Sequence, residues 1–447
     1  MLKPLIAYFR SGPDRPLLPN AAAIASLYER KRWSIFLSLI AGYGFFYTCR
    51  LGLSVTKKPL LDAGVLTAAE MGVVGSVLLY VYAIGKFVNG MFSDHANIRR
   101  FMSWALLLSA LANLAFGFTS VFIGFVILWG LNGWFQSIGS APSVVSICQW
   151  FSNRERGTRY GIWAGAHNLG EGMTFIFVAW LVNHFGWRAG FVGPGIFCLF
   201  VAFTLFRTLG DRPQTYGLPH VSDYKNDHSA GPPPPGTTAE LQRQVFRNPW
   251  VWVLAISCAL MYVARYAINN WAMLFLQETK HYSLTDAGFV MAGYPVMGFV
   301  GAAVSGWISD RFFASRRNLP TLIYGLLQTG GIVLLFLAPP GHRWIDAVAM
   351  GLFGFGVGGL IVFLAGLIAV DIMPKAAAGT VKGLIGMFAY VGAGTQDWIS
   401  GFLLDAYKTV DGGRKIYDFA PVFYFWIGAS ILSMVLAATA WNVKPRE

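Results

Sequence analysis

The sequence predicts an all-α membrane protein with twelve transmembrane helices in two pseudo-symmetric six-helix bundles. Three observations carry this. Hydrophobic residues fill 55% of 447 positions and charged residues only 12%, against about 25% charged in a soluble domain. Mean hydropathy is +0.52 over the whole chain, which a surrounding bilayer explains and a single buried core does not. Apolar runs of about 20 residues recur, each long enough to cross ~30 Å of hydrocarbon as a helix.

The N-terminal segment, residues 1–32, is polar and basic and lacks an early apolar stretch, so the first spanning helix is expected to act as the insertion signal. Six runs follow, near 33–55, 68–92, 100–118, 121–150, 158–183 and 187–206, within a first bundle at 33–207. Backbone groups in lipid must be satisfied within the segment, so each run is helical. Residues 208–248 form the one long hydrophilic connection. With the proline run Pro232–Pro235 it reads as a flexible cytoplasmic linker. Six more runs, near 249–276, 286–308, 319–338, 345–370, 376–404 and 419–441, make a second bundle at 249–441, and 442–447 is a short cytoplasmic tail.

The halves echo each other. GMFSD at Gly90–Asp94 returns as GWISD at Gly306–Asp310, an offset of 216, and Tyr47–Arg50 (YTCR) returns as Tyr262–Arg265 (YVAR), an offset of 215. Two motifs at nearly one offset, on equivalent helices, indicate a duplicated six-helix unit.

Lysine and arginine set the topology. The side that holds both termini and the central linker carries 22 of them and the opposite side 8, among these Lys57, Lys58, Lys280 and Arg343; four lie within spans. The excess places both termini and the linker in the cytoplasm of a bacterial inner membrane. The net charge of +13 accompanies no basic helix or RNA motif, which excludes a nucleic-acid partner. Cys49, Cys148, Cys198 and Cys258 all sit in apolar stretches without a CxxC pair and read as small buried hydrophobes. No metal-ligand spacing and no nucleophile–base pair appears, so no cofactor, metal or enzymatic activity is expected.

Ionisable residues inside a span are costly and mark a pathway. Here they are Arg50, Lys86, His167, Glu171, Arg265, Lys382 and Asp397. For Arg50, Lys86 and Lys382 the alternative is snorkelling to a nearby helix end. The internal repeat favours a site for the two arginines, since it sets them at equivalent depths on opposite sides of the central axis. Two guanidiniums facing one cavity repel unless an anion lies between them, and a phosphate matches both planar forks. Four cations in the spans against Glu171 and Asp397 leave a surplus of two positive charges, that of a phosphate dianion. Glu171 and His167, four residues apart, share a helix face, which gives Glu171 either a charge-tuning role beside His167 or a lysine, or a local structural ion pair. Tyr43, Tyr47, Tyr82 and Tyr262 lie within two turns of the cations, placed either to bond phosphate and sugar oxygens or to pack.

These residues resemble the organophosphate:phosphate antiporters of the major facilitator superfamily over essentially the whole chain. The landmarks are Arg50 with its tyrosines, Tyr82–Phe87, Ser93 to Arg99, Arg154–Gly157, Ala166–Gly170, Asp211–Gln214 with Gly217–Pro219, and Tyr262–Arg265 ahead of Trp271. The N-terminal half is most similar to the hexose-6-phosphate branch with its sensors; Asp211–Asp227 is similar to glycerol-3-phosphate transporters. The resemblance implies exchange of a phosphorylated metabolite for inorganic phosphate by alternating access. It also implies that Arg50 and Arg265 bind the phosphate with Lys86 and His167 assisting, and we expect a monomer among membrane lipid. Departures are Leu51 and Gly52 after the arginine, Gln136–Pro142 in the fourth helix, Glu171, Asn270, and Lys382, Gln396 and Asp397 in the eleventh. Two alternatives stay open: a hexose-phosphate receptor acting on a sensor kinase, and a proton-coupled transporter of another small organic anion using Glu171 and Asp397.

Overall fold

The computed structural model describes residues 2–227, 238–313, 317–364, 378–411 and 414–439. Outside the described residues lie Pro232–Pro235, the tail 442–447, and the ends of predicted spans at 365–370, 376–377 and 440–441.

A short helix α1 (Leu2–Phe9) precedes the first bundle. The first span is α2 (Ala21–Phe46) plus α3 (Gly52–Asp62). Then come α4 (Ala68–Ser93) and α5 (Ile98–Phe118), a fourth span made of α6 (Phe122–Gln136) and α7 (Ser140–Trp150), α8 (Asn153–Phe185) and α9 (Ala189–Thr208). The connection carries α10 (Val221–Tyr224) and α11 (Thr238–Arg247). The second bundle is α12 (Pro249–Glu278), α13 (Leu284–Phe312), α14 (Asn318–Leu337), α15 (Arg343–Val362), α16 (Ala378–Ala406) and α17 (Ala420–Thr439). An antiparallel ribbon, β1 (Lys408–Asp411) with β2 (Arg414–Tyr417), lies between the last two. Among the described residues, ten of these spans are long and apolar enough to cross a membrane. The other two, α8 and α16, carry His167 and Glu171, and Lys382 and Asp397.

Helix starts follow their caps. Asn20 accepts from Ala22 N at α2, and Thr67 with Glu70 closes a capping box on α4. At α12, Asn248 accepts from Trp250 N and Pro249 occupies the first turn, where no N–H is needed.

The bundles meet along α3 with α12, α4 with α16 and α8 with α13. Gly75 lets α4 and α16 approach, because a Cβ there would overlap the Asp397 carboxylate. Within the first bundle Gly170 of α8 lies against the backbone of Gly44.

The predicted linker is folded over its first part. The Asp211 carboxylate accepts from Ser11 Oγ and Gly12 N, each at 3.0 Å, and from Asn97 Nδ2 at 2.9 Å. Its backbone carbonyl accepts from Trp150 Nε1 at 3.0 Å. Asp211 thus ties the N-terminal segment, the α4–α5 turn and the fourth span together on the face that holds the N-terminus.

Candidate anion-binding site

Arg50 owes its position to a break in the first span. A single 3-10 turn, Tyr47–Cys49, separates α2 from α3. Such a break frees backbone carbonyls. Here Cys49 O accepts from Asn113 Nδ2 at 2.9 Å and Asn132 Nδ2 at 2.8 Å. The polar rail continues: Asn132 Oδ1 accepts from Ser109 Oγ at 2.6 Å, and Ser109 Oγ accepts from Gln136 Nε2 at 2.7 Å. Gln136 Oε1 in turn accepts from Arg50 Nε at 3.3 Å. The departure noted at Gln136 therefore anchors the arginine.

The Arg50 guanidinium lies 4.6 Å from the Tyr47 ring centre and 4.4 Å from that of Tyr82, a cation–π arrangement on both. It is 6% exposed, yet its Nη1 and Nη2 make no hydrogen bond among the described residues. Arg265, 7% exposed on α12, donates from Nη1 to the Tyr262 hydroxyl at 3.4 Å and lies 5.3 and 5.6 Å from the Tyr262 and Tyr266 rings.

Tyr390 of α16 joins the two groups. Its ring centre lies 4.4 Å from Tyr82 of the first bundle and 5.7 and 5.9 Å from Tyr262 and Tyr266 of the second. Lys86 Nζ is 5.1 Å from it, and its hydroxyl lies within electrostatic reach of Lys86, Arg50 and Arg265. His167 packs 5.5 Å from Tyr47 and 6.2 Å from Tyr43, with Nδ1 2.5 Å from Ala164 O. Tyr43 stacks on Trp163 at 4.6 Å. Arg50, Arg265, Lys86, His167, Tyr43, Tyr47, Tyr82 and Tyr262 thus form one contiguous aromatic-lined cluster across the seam. A cluster with cationic donors and aromatic walls suits a small oxyanion.

Three expectations need correction. Lys57 belongs to α3, not to an exposed loop. It is buried, ion-paired to Asp397 at 3.4 Å, and its Nζ lies 3.1 Å from the Trp271 ring centre. The helix restarts after the Arg50 break and carries the lysine inward. Lys382 is exposed near the start of α16 and has no hydrogen bond or ion pair to the cluster among the described residues. Lys280 is likewise buried, 2.9 Å from Asp346 within the second bundle. With Lys57 counted in place of Lys382, three buried cations, Arg50, Lys57 and Arg265, and the half-buried Lys86 accompany the carboxylates of Glu171 and Asp397.

Among the described residues, Glu171 hydrogen-bonds neither His167 nor a lysine. It accepts from Asn269 Nδ2 and the Tyr294 hydroxyl of the other bundle. Tyr266, Tyr390, Asn269 and Gln136 had not been singled out as site residues. The spacing of four from Arg265 pointed to Asn269, and chain adjacency to Tyr266. No sequence signal pointed to Tyr390.

The Major Facilitator Superfamily family model matches residues 21–395. A probable hexose phosphate transport protein of Chlamydia pneumoniae is 31% identical over 96% of this chain and 95% of its own length. The membrane sensor protein UhpC of Escherichia coli is 33% identical over 90% and 93%, and the glycerol-3-phosphate transporter of Bacillus subtilis 32% over 99% of each. Among solved structures, a bacterial homolog of the human lysosomal transporter Spinster, inward-facing and unoccupied, aligns with a TM-score of 0.75 at 17% identity over 92% of this chain and 97% of that one. With its helices in two bundles and a family model matched over most of its length, this chain belongs to the Major Facilitator Superfamily, a family of membrane transporters, beside relatives named for hexose phosphate and glycerol 3-phosphate.

Proposed function

We propose that the protein exchanges a phosphorylated metabolite, a hexose 6-phosphate or glycerol 3-phosphate, for inorganic phosphate by alternating access. The observation that carries this is the pair Arg50 and Arg265. They are buried, one from each bundle, joined through a shared tyrosine cluster, and Arg50 keeps two donor nitrogens without a hydrogen-bond partner among the described residues. Bringing like charges together is favourable only with an anion between them, and a ligand shifts the conformational balance only by its differential affinity for the states. A carrier that reorients only when loaded is an exchanger.

Among the described residues, the hydrogen bonds and ion pairs that join the bundles lie from the site outward to the end opposite the termini: Lys57–Asp397, Lys58–Glu278, Ser54–Asn270, Tyr80–Thr395 and the contacts of Glu171. With both termini assigned to the cytoplasm of the inner membrane, this is a form closed toward the outside.

Exchange of labelled phosphate in proteoliposomes tests the reading. Arg50→Lys and Arg265→Lys are each expected to reduce it at least about a hundredfold, since an ammonium lacks the bidentate fork. Near-normal exchange by both rejects the clamp. A second reading, a hexose-phosphate receptor that signals to a sensor kinase, is favoured by the similarity to the UhpC sensor. Ligand binding without exchange identifies it.

A further inference from the structure

A second set of groups lies one helical turn from Arg265 and His167. Glu171 follows His167 by four residues on α8, and Asn269 follows Arg265 by four on α12. Each pair therefore shares a helix face, with about 6 Å of rise between its members. Glu171 is 1% exposed and Asn269 4%. The Glu171 Oε1 accepts from Asn269 and Tyr294 across the seam, while Glu171 Oε2 and Asn269 Oδ1 make no hydrogen bond among the described residues. Arg50 and Asn269 line one small cavity, so the residue that donates to Glu171 borders the same space as the open arginine.

The unmatched groups differ in kind. In the arginine layer they are donors, Arg50 Nη1 and Nη2; in the Glu171 layer they are acceptors. A matching ligand carries an oxyanion at one end and O–H donors about one helical turn away. Phosphorylated sugars and polyols have that pattern. A phosphorylated carboxylic acid sets its carboxylate against Glu171, and like charges brought together are strongly disfavoured.

Resting on the exchange reading, we propose that Glu171, with Asn269 and Tyr294, determines specificity: it selects phosphate esters that bear hydroxyls and rejects those that bear a carboxylate. When the bundles part, Asn269 and Tyr294 leave Glu171, and ligand hydroxyls take their place as donors.

The test is competition against labelled phosphate exchange in proteoliposomes by glucose 6-phosphate, glycerol 3-phosphate and 3-phosphoglycerate. With wild-type protein, the half-inhibitory concentration of 3-phosphoglycerate is expected to exceed that of the better polyol ester by at least about tenfold. In Glu171→Gln, which removes the charge and keeps the shape, the ratio is expected to fall to within about threefold; Asn269→Ala narrows it in the same direction. A wild-type ratio near one or inverted overturns the proposal whether or not the variants fold, as does a ratio that Glu171→Gln leaves unchanged. Wild-type protein that fails to exchange phosphate at all overturns the exchange reading instead. Selectivity is then read from the rise in Tm given by the same three compounds, where equal rises overturn the proposal.

Discussion

Lys57 and Asp397 lie 3.4 Å apart with both side chains about 1% exposed, and they tie the first span of one bundle to the eleventh span of the other. Trp271 reinforces the pair: its Nε1 donates to the same carboxylate oxygen at 2.5 Å while its ring faces the ammonium. Removing one member of a buried pair leaves an unpaired charge and costs about 3–5 kcal/mol, whereas replacing both by apolar groups is often neutral. Lys57→Met and Asp397→Asn are therefore each expected to open the face opposite the termini. The alkylation rate of a cysteine placed at Ser54 in a cysteine-free background should rise at least about thirtyfold. The double change Lys57→Met/Asp397→Leu should restore protection. Single variants as protected as the parent would show that the pair does not hold this face.

Gly75→Ala tests the same seam sterically. The added methyl overlaps the Asp397 carboxylate, and overpacking of this kind costs about 1–3 kcal/mol. The same Ser54 probe is expected to react faster. Gly90→Ala, where an added methyl meets nothing within 4 Å, should leave the rate at the parental value. Equal rates in the two alanine variants would contradict the close approach of α4 and α16.

Gln136→Leu removes the acceptor that holds Arg50 Nε at 3.3 Å. A hydrogen bond to a charged group is worth about 1.5–3 kcal/mol. The half-saturating phosphate concentration should thus rise roughly tenfold to a hundredfold, with a fall in Tm as well, because the change also removes the Nε2 donor to Ser109. A change below about threefold would mean that the tyrosine walls alone position the guanidinium.

Lys280→Met separates stability from transport. Lys280 and Asp346 form a buried pair 2.9 Å apart inside the second bundle, with the Tyr282 hydroxyl also donating to Asp346 at 2.7 Å. Losing the cation should lower stability by about 3–5 kcal/mol, seen as a fall in Tm, while exchange per folded molecule stays near the parental value. An unchanged Tm would refute the role of the pair as a structural pin.

Much of the fold was legible because lipid imposes a one-dimensional rule. Span length, helicity and the duplicated halves follow from apolar run length and two repeated motifs. Arg50 and Arg265 were legible for a related reason, since a charge within a span needs an explanation and the repeat supplied one. Lys57 was misplaced because hydropathy counts residues along the chain. It does not register that the helix breaks at Tyr47–Cys49, restarts at Gly52 and carries the lysine to Asp397, 340 residues away.

The sequence by itself determined the spans, the two-bundle architecture and the excess of positive charge among them, because each is set by local composition in an apolar solvent. Only the tertiary structure decided which charges are paired with one another and which keep free donors and acceptors. Lys57 engages Asp397, Glu171 engages Asn269 and Tyr294, and Arg50 retains two nitrogens with no hydrogen bond among the described residues. Pairing depends on distances between helices remote in sequence, and in a low-dielectric interior a few ångströms decide whether a charge is neutralised or left for a ligand.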